Sequence, residues 1–106
     1  MLYRRKLTKM DSEKKIEAKL RSEVFKKGGW CIKILSTFAA GLPDRLVLIK
    51  GQAYFVEVKS EGKVPRPLQR VVHKKLERLG FPVTVISTFV QLDNFLLKLD
   101  HEIHSA

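Results

Sequence analysis

Three residues near the middle of the chain have the types and spacing to do chemistry: Asp44, Glu57 and Lys59. Asp44 closes the segment Gly41-Leu42-Pro43-Asp44, and Glu57 and Lys59 follow the run Ala53-Tyr54-Phe55-Val56. Between Asp44 and that run lies a second apolar stretch, Leu46-Val47-Leu48-Ile49. Gly51-Gln52 separates the two stretches and reads as the two-residue turn of a β-hairpin. With that turn Lys50 pairs with Ala53, Leu48 with Phe55, Leu46 with Glu57 and Asp44 with Lys59. Cross-strand partners share a face and side chains alternate with period two. Asp44, Glu57 and Lys59 therefore project from one face, together with Leu46, Leu48 and Phe55. Val47, Ile49, Tyr54, Val56 and Val58 take the other. The parity holds for an even loop and fails for an odd one.

Neighbouring strands lie ~4.8 Å apart, and residues two apart on a strand about 6.5–7 Å apart. Three charges in that space can hold one small hard cation. Mg²⁺ takes one or two carboxylates and several waters, and Asp44 with Glu57 supplies the pair. Lys59 then stands where it can orient or deprotonate a water, or stabilise developing charge. The competing arrangement is an Asp44–Lys59 salt bridge with Glu57 solvated at a strand end. For Glu-x-Lys alone that simpler arrangement is preferred. The Pro43-Asp44 pair before the same hairpin, in matching parity, shifts the balance toward a site.

The surrounding elements follow from periodicity. Ile16, Leu20 and Val24 recur at four-residue spacing, so a helix runs from Ser12, its expected N-cap, to Gly28-Gly29. Trp30 to Leu35 reads as a strand, and residues 36–44 as a loop. Residues 60–65 form a second loop, and Pro67 opens a helix carrying Leu68, Val72, Leu76 and Leu79 until Gly80 stops it. Pro82 to Ser87 is a β-branched strand. A last helix spans about 90–103, with Leu92, Leu96, Leu99 and Ile103 on one stripe. A hairpin within this mixed order predicts an α/β layered domain around a mixed sheet. No internal repeat or low-complexity segment is present.

Composition bounds the partners. The chain has 106 residues, 44% of them hydrophobic, which suits one domain with a packed core. Its 21 Lys+Arg against 11 Asp+Glu leave a net charge of +10, which points to a polyanion and first to nucleic acid. One cysteine, Cys31, excludes an internal disulfide, and with three His it supplies a zinc cluster poorly. The uncharged run Gly80–Leu92 is too short to span a bilayer. The basic N-terminus runs into Met10-Asp11-Ser12-Glu13 rather than an apolar stretch, so no secretory signal is expected. A cytoplasmic setting follows as the expectation.

Other candidates each have a plainer alternative. From spacing alone Glu17 pairs with Arg21 at i,i+4, and Glu13, on the same side of the helix, competes with it as a third carboxylate. Gln69 reads as a polar helix boundary and His73 as a polar surface residue. Arg66, Arg70, Lys74 and Arg78 recur every four residues, as a phosphate-tracking stripe or an ordinary basic helix face, with Lys63 and Lys75 nearby. Lys33 can point into the site or outward. For Trp30 and Phe38 core packing is preferred over base stacking. Cys31 reads as a small buried residue.

Several of these segments, in this order and spacing, match one family. Ile16-Glu17-x-x-Leu20, Gly28-Gly29, Lys33, Gly41-x-Pro43-Asp44-Arg45, Phe55-Val56-Glu57-Val58-Lys59 and Pro67-Leu68-Gln69 resemble the virus-type replication-repair nucleases, the VRR-Nuc branch of the PD-(D/E)XK superfamily. The chain is similar to the small stand-alone members of bacteriophages and prophages over about residues 12–103. The resemblance implies a PD-(D/E)XK (restriction-endonuclease-like) α/β core of order α-β-β-β-α-β, its mixed sheet flanked by helices, plus a C-terminal helix. Residues 12–106 would be a single nuclease domain behind a basic arm, 1–11.

By the same resemblance, Asp44 and Glu57 would ligate Mg²⁺ or Mn²⁺ with the backbone carbonyl of Val58. Lys59 would be the catalytic lysine. Glu17 would hold water on the metal or a second ion, in place of its surface pairing. Gln69 would be the glutamine that starts the helix after the active-site strand. Lys33, Arg45, Lys63, Arg66, Arg70, His73, Lys74 and Arg78 are the expected DNA contacts. The implied activity is structure-selective endonucleolysis of branched DNA such as four-way junctions. It would be carried out by a homodimer without a membrane or a small-molecule cofactor, in the bacterial host cytoplasm if the chain is phage-encoded. The rival function is a non-catalytic DNA-binding or junction-holding module, and an RNA-directed nuclease is a third. Three carboxylates near bound DNA weigh against the module unless a cation joins them.

Overall fold

The computed structural model describes residues 9–35 and 39–104. Its elements are α1 (Lys9–Lys26), β1 (Trp30–Lys33), β2 (Arg45–Ile49), β3 (Gln52–Val58), α2 (Pro67–Arg78), β4 (Val83–Ile86) and α3 (Phe89–His104). The order is the α-β-β-β-α-β succession expected, with the C-terminal helix. Helix α1 starts at Lys9, ahead of Ser12, so part of the expected arm is helical and Ser12 is not its N-cap. Residues 1–8, the rest of that arm, lie outside the described residues, as does Phe38.

The strands form one sheet in the order β1-β2-β3-β4. The β1–β2 and β2–β3 pairs are antiparallel and β3–β4 is parallel, with α2 as the crossover. One sheet face is covered by α1 and α3. Val47, Ile49, Val56, Val58 and Ile86 meet Ile16, Leu20 and Val24 of α1 and Leu92, Phe95, Leu96 and Leu99 of α3. Ile16, Leu20, Val24, Leu92 and Leu99 have no exposed surface, so the four-residue recurrence marks the core side of both helices. Burying each such side chain contributes about 1.5–3 kcal/mol before the entropy of ordering is subtracted.

The hairpin turn differs from the expectation by one residue. Ile49 pairs with Gln52, Leu48 with Ala53 and Leu46 with Phe55, so the turn is Lys50-Gly51 rather than Gly51-Gln52. Both turn residues have positive φ, 49° and 76°, the signature of a type I′ turn, whose twist matches the flanking strands. The shift also sets apolar Leu46 against Phe55 instead of Glu57. The loop still has two residues, so the division into faces is unchanged.

Helix α2 covers the other face only partly. Phe55 packs edge-on against Phe81, with ring centroids 6.3 Å apart, and α2 meets β4. Of the stripe expected to be buried, Leu68 and Leu79 are exposed and Val72 and Leu76 half-buried, because α2 rests on a short stretch of sheet and on the loop before β2. The residue α2 does bury is Gln69. Trp30 is likewise not a core residue. It is 67% exposed, because β1 is an edge strand. Cys31 is half-buried against the core. Among the described residues no helix is long and apolar enough to cross a membrane.

Candidate active site

The last ladder pair of the hairpin is Arg45 with Val56, and one step beyond it stand Asp44 and Glu57. Asp44 accepts the backbone N–H of Val58 with both carboxylate oxygens, at 3.2 and 3.3 Å. The side chain of Glu57 is 3% exposed. Its Oε2 accepts from Lys59 Nζ at 3.1 Å and from Gln69 Nε2 at 3.0 Å. Its Oε1 is buried with no partner among the described residues. Lys59 is held at the strand end because its backbone N–H donates to Ile86 O at 2.9 Å, extending the parallel ladder.

Two local devices bring the flanking groups in. Gln69 stands in the first turn of α2, after Pro67. Its Oε1 accepts the Arg66 N–H at 2.9 Å, which satisfies a donor the helix terminus leaves free and aims the amide nitrogen at Glu57. On the other side, Gly41 has φ +90°. A Cβ there would sit 2.8 Å from Val72 Cγ2 and 3.0 Å from Leu68 O, so only glycine lets the chain leading to Asp44 lie on α2. Pro43 is fully buried beside Asp44.

The site is short of positive charge. Burial raises the Asp44 carboxyl from 3.8 to about 7, and the neighbouring Glu57 and the more distant Glu13 push the same way. The Val58 N–H and Lys59 oppose this only in part. Two facing carboxylates, one with an orphaned buried oxygen, fit a divalent cation. Among the described residues no group of three or more His, Cys, Asp or Glu is gathered. The donors are thus few and all oxygen, as Mg²⁺ or Mn²⁺ accepts and zinc does not favour. The expected ligands Asp44 and Glu57, distant in sequence, stand opposite one another at the open end of the hairpin, with Val58 next to Glu57.

Glu17 is placed differently. Its carboxylate forms an ion pair with Arg45, whose side chain is 8% exposed. The α1 carboxylate whose field reaches Asp44 is Glu13, one turn earlier. Glu13 lies on the same helix side as Glu17, and spacing alone does not rank the two.

A comparison with protein-family models finds no match. Among curated proteins the chain is 43% identical over 77 residues to "Putative nuclease p44" of Acyrthosiphon pisum secondary endosymbiont phage 1, covering 72% of this chain and 83% of that one. Among solved structures it superposes on a VRR_NUC domain with a TM-score of 0.71 and 28% identity, over 90% of this chain and 98% of the other. The chain belongs to the VRR-Nuc family. Its fold is the PD-(D/E)XK-like core of that family with a C-terminal helix.

The remaining candidates fall on two sides of this VRR-Nuc sheet. Arg66, Arg70, Lys74 and Arg78 are all exposed along α2, and Lys63 is exposed in the loop before it. His73 is half-buried one turn after Gln69, within the fields of Glu57 and Lys59. Burial lowers its pKa, and its Nε2 has no partner among the described residues. It therefore belongs with the acidic centre rather than the exposed stripe. Lys33 and Arg45 pair across β1 and β2 on the α1 side, Lys33 exposed and Arg45 buried.

Proposed function

We propose that this VRR-Nuc chain is a divalent-cation-dependent endodeoxyribonuclease that hydrolyses phosphodiester bonds in branched DNA such as four-way junctions. The observation that carries it is the facing pair Asp44 and Glu57, with the buried Oε1 of Glu57 unpartnered among the described residues, beside Lys59. Asp44, Glu57 and the Val58 carbonyl would hold Mg²⁺ or Mn²⁺. When bound, that cation supplies charge neutralisation at the scissile phosphate and a more acidic attacking water.

The protein's own groups do the rest. Lys59 presents its ammonium beside the carboxylates, where it orients the nucleophile or balances charge developing on the phosphate. Gln69 fixes the rotamer of Glu57. We assign the α1 carboxylate role to Glu13 rather than Glu17, because Glu13 lies in the field of Asp44 and Glu17 is engaged by Arg45. Lys63, Arg66, Arg70, Lys74 and Arg78 grip the backbone without reading sequence. Residues 12–106 form the nuclease domain, and the chain acts in the cytoplasm of its host. A homodimer supplies two like sites for the two strands of a junction.

The test is cleavage of four-way junction, flap, nicked and linear DNA in Mg²⁺ or Mn²⁺. Junction DNA is cut fastest by the wild type. Glu57→Ala binds but does not cut, and Lys59→Ala keeps metal but loses about 10²–10⁴-fold in turnover. Metal-dependent cleavage retained by Glu57→Ala refutes the assignment. Binding without cleavage by the wild type restores the non-catalytic module. A scattering mass of one chain under working conditions removes the dimer.

A further inference from the structure

Helix α2 carries a second polar side chain on the side of Gln69. Residues four apart share a helix side, and Gln69, buried against Glu57, is followed at that spacing by His73. His73 as a whole is half-buried, yet its Nε2, the ring nitrogen farther from the backbone, is buried. The ring therefore extends inward, and the fields of Glu57 and Lys59 reach it. Nε2 has no hydrogen-bond partner among the described residues. A buried nitrogen of this kind is ordinarily paired with protein, water or an ion.

The acidic centre has a need that this nitrogen meets. Mg²⁺ is octahedral and dehydrates reluctantly, so with Asp44, Glu57 and the Val58 carbonyl as ligands about half of its positions would stay water. Water whose lone pair is given to a cation is a strong donor and a poor acceptor, so it requires acceptors around it. The neighbouring groups offer few. Glu57 Oε2 already accepts from Lys59 Nζ and Gln69 Nε2. Gln69 Oε1 is engaged by the Arg66 N–H, and lysine has donors only. In the first two turns of α2 the side-chain acceptor left open is on His73. Burial lowers its pKa below the ordinary 6.5, so near neutral pH the ring is uncharged and keeps a lone pair to offer. A DNA phosphate is the rival partner, and a buried nitrogen in the field of Glu57 is poorly placed for an anion.

We propose that His73 is a positioning residue for the cation, its Nε2 accepting a hydrogen bond from a water of the hydration shell. Helix α2 then holds Glu57 through Gln69 and the hydrated ion through His73. The role rests on the cation-dependent nuclease reading. The test uses the full chain without DNA, at pH 8, where Asp44 and His73 have both released their protons. The probe is Mg²⁺ alone. Calorimetry reads its binding, and ¹⁵N labelling of histidine reads the rings. His101 and His104, both on α3, are internal controls.

The His73 Nε2 resonance moves as Mg²⁺ is added, in step with calorimetric saturation, while the α3 histidines stay still. His73→Phe keeps the bulk of the ring without its nitrogens and weakens Mg²⁺ binding about 10- to 100-fold. His73→Gln, whose amide reaches the place of Nε2, restores most of it, and both variants keep the wild-type Tm in EDTA. A His73 resonance that stays still through Mg²⁺ saturation overturns the proposal. So does Mg²⁺ affinity that is unchanged in His73→Phe or lowered equally in both variants. His73→Phe that keeps Mg²⁺ and loses duplex DNA overturns it in favour of a phosphate contact. A wild type that binds Mg²⁺ with the His73 shift and never cuts DNA fails the nuclease reading alone. Metal-dependent cleavage with a still His73 resonance fails the His73 role alone.

Discussion

Gln69 donates its side-chain N–H to Glu57 Oε2 at 3.0 Å. The same amide caps the start of α2 by accepting from Arg66 N–H, so one side chain ties the helix terminus to the buried carboxylate. Lys59 Nζ donates to the same Oε2 at 3.1 Å. Oε1 of Glu57 is buried and has no partner among the described residues.

Gln69→Ala removes both bonds at once. Leaving a buried carboxylate and a helix N–H short of partners costs about 1–3 kcal/mol. Thermal unfolding reads this as a lower Tm. Turnover at saturating Mg²⁺ falls as well, and Gln69→Glu, which sets a like charge against Glu57, is worse than Gln69→Ala in both measurements.

Asp44 makes the metal-free protein less stable as pH rises. Its folded pKa of about 7 lies above the ordinary 3.8, so the folded state binds the proton more tightly than the unfolded one. Unfolding free energy therefore falls between about pH 4 and 7 and is level above. Without divalent ions, Asp44→Asn is more stable than the wild type at pH 8 and indistinguishable at pH 4. A cation must displace that proton, so apparent Mn²⁺ affinity drops about tenfold per pH unit below 7, measurable by calorimetry. An unchanged affinity from pH 5 to 8 contradicts this.

Glu13 and Glu17 separate by readout. Glu17→Ala strands the buried guanidinium of Arg45 and lowers Tm, a stability loss of roughly 1–3 kcal/mol because Glu17 is itself a quarter exposed. Glu13→Ala leaves Tm nearly unchanged and slows cleavage. The reverse pattern returns the α1 role to Glu17.

Lys50 holds a left-handed conformation, φ 49°, that asparagine tolerates better. Lys50→Asn builds the favoured Asn-Gly type I′ turn and stabilises by roughly 0.5–1 kcal/mol, a rise of about 2–8 °C in Tm. Had Gly51-Gln52 been the turn, the substitution would do nothing of the kind.

The local periodicities were legible without any structure. Ile16, Leu20 and Val24, and Leu92, Leu96 and Leu99, announced their buried sides because helical spacing is a property of neighbours along the chain. The face shared by Asp44, Glu57 and Lys59 was legible for the same reason, since alternation survives any even loop. The VRR-Nuc resemblance rested on these same segments, and the comparisons agree with it. Contacts between distant segments were a different matter. That Asp44 stands against Glu57 rather than Lys59 depends on strand twist, which selected Lys50-Gly51 as the turn. That Glu17 pairs with Arg45 while Glu13 lies in the field of Asp44 could not be read from spacing along α1. Trp30 lies open because β1 ends the sheet, and Leu68 and Leu79 because α2 covers little of it. Pattern along the chain determined which side of each element is apolar. Which of those sides meet, and which acids end up sharing one small volume, only the packed tertiary structure decided, because burial and pairing are settled between segments rather than within them.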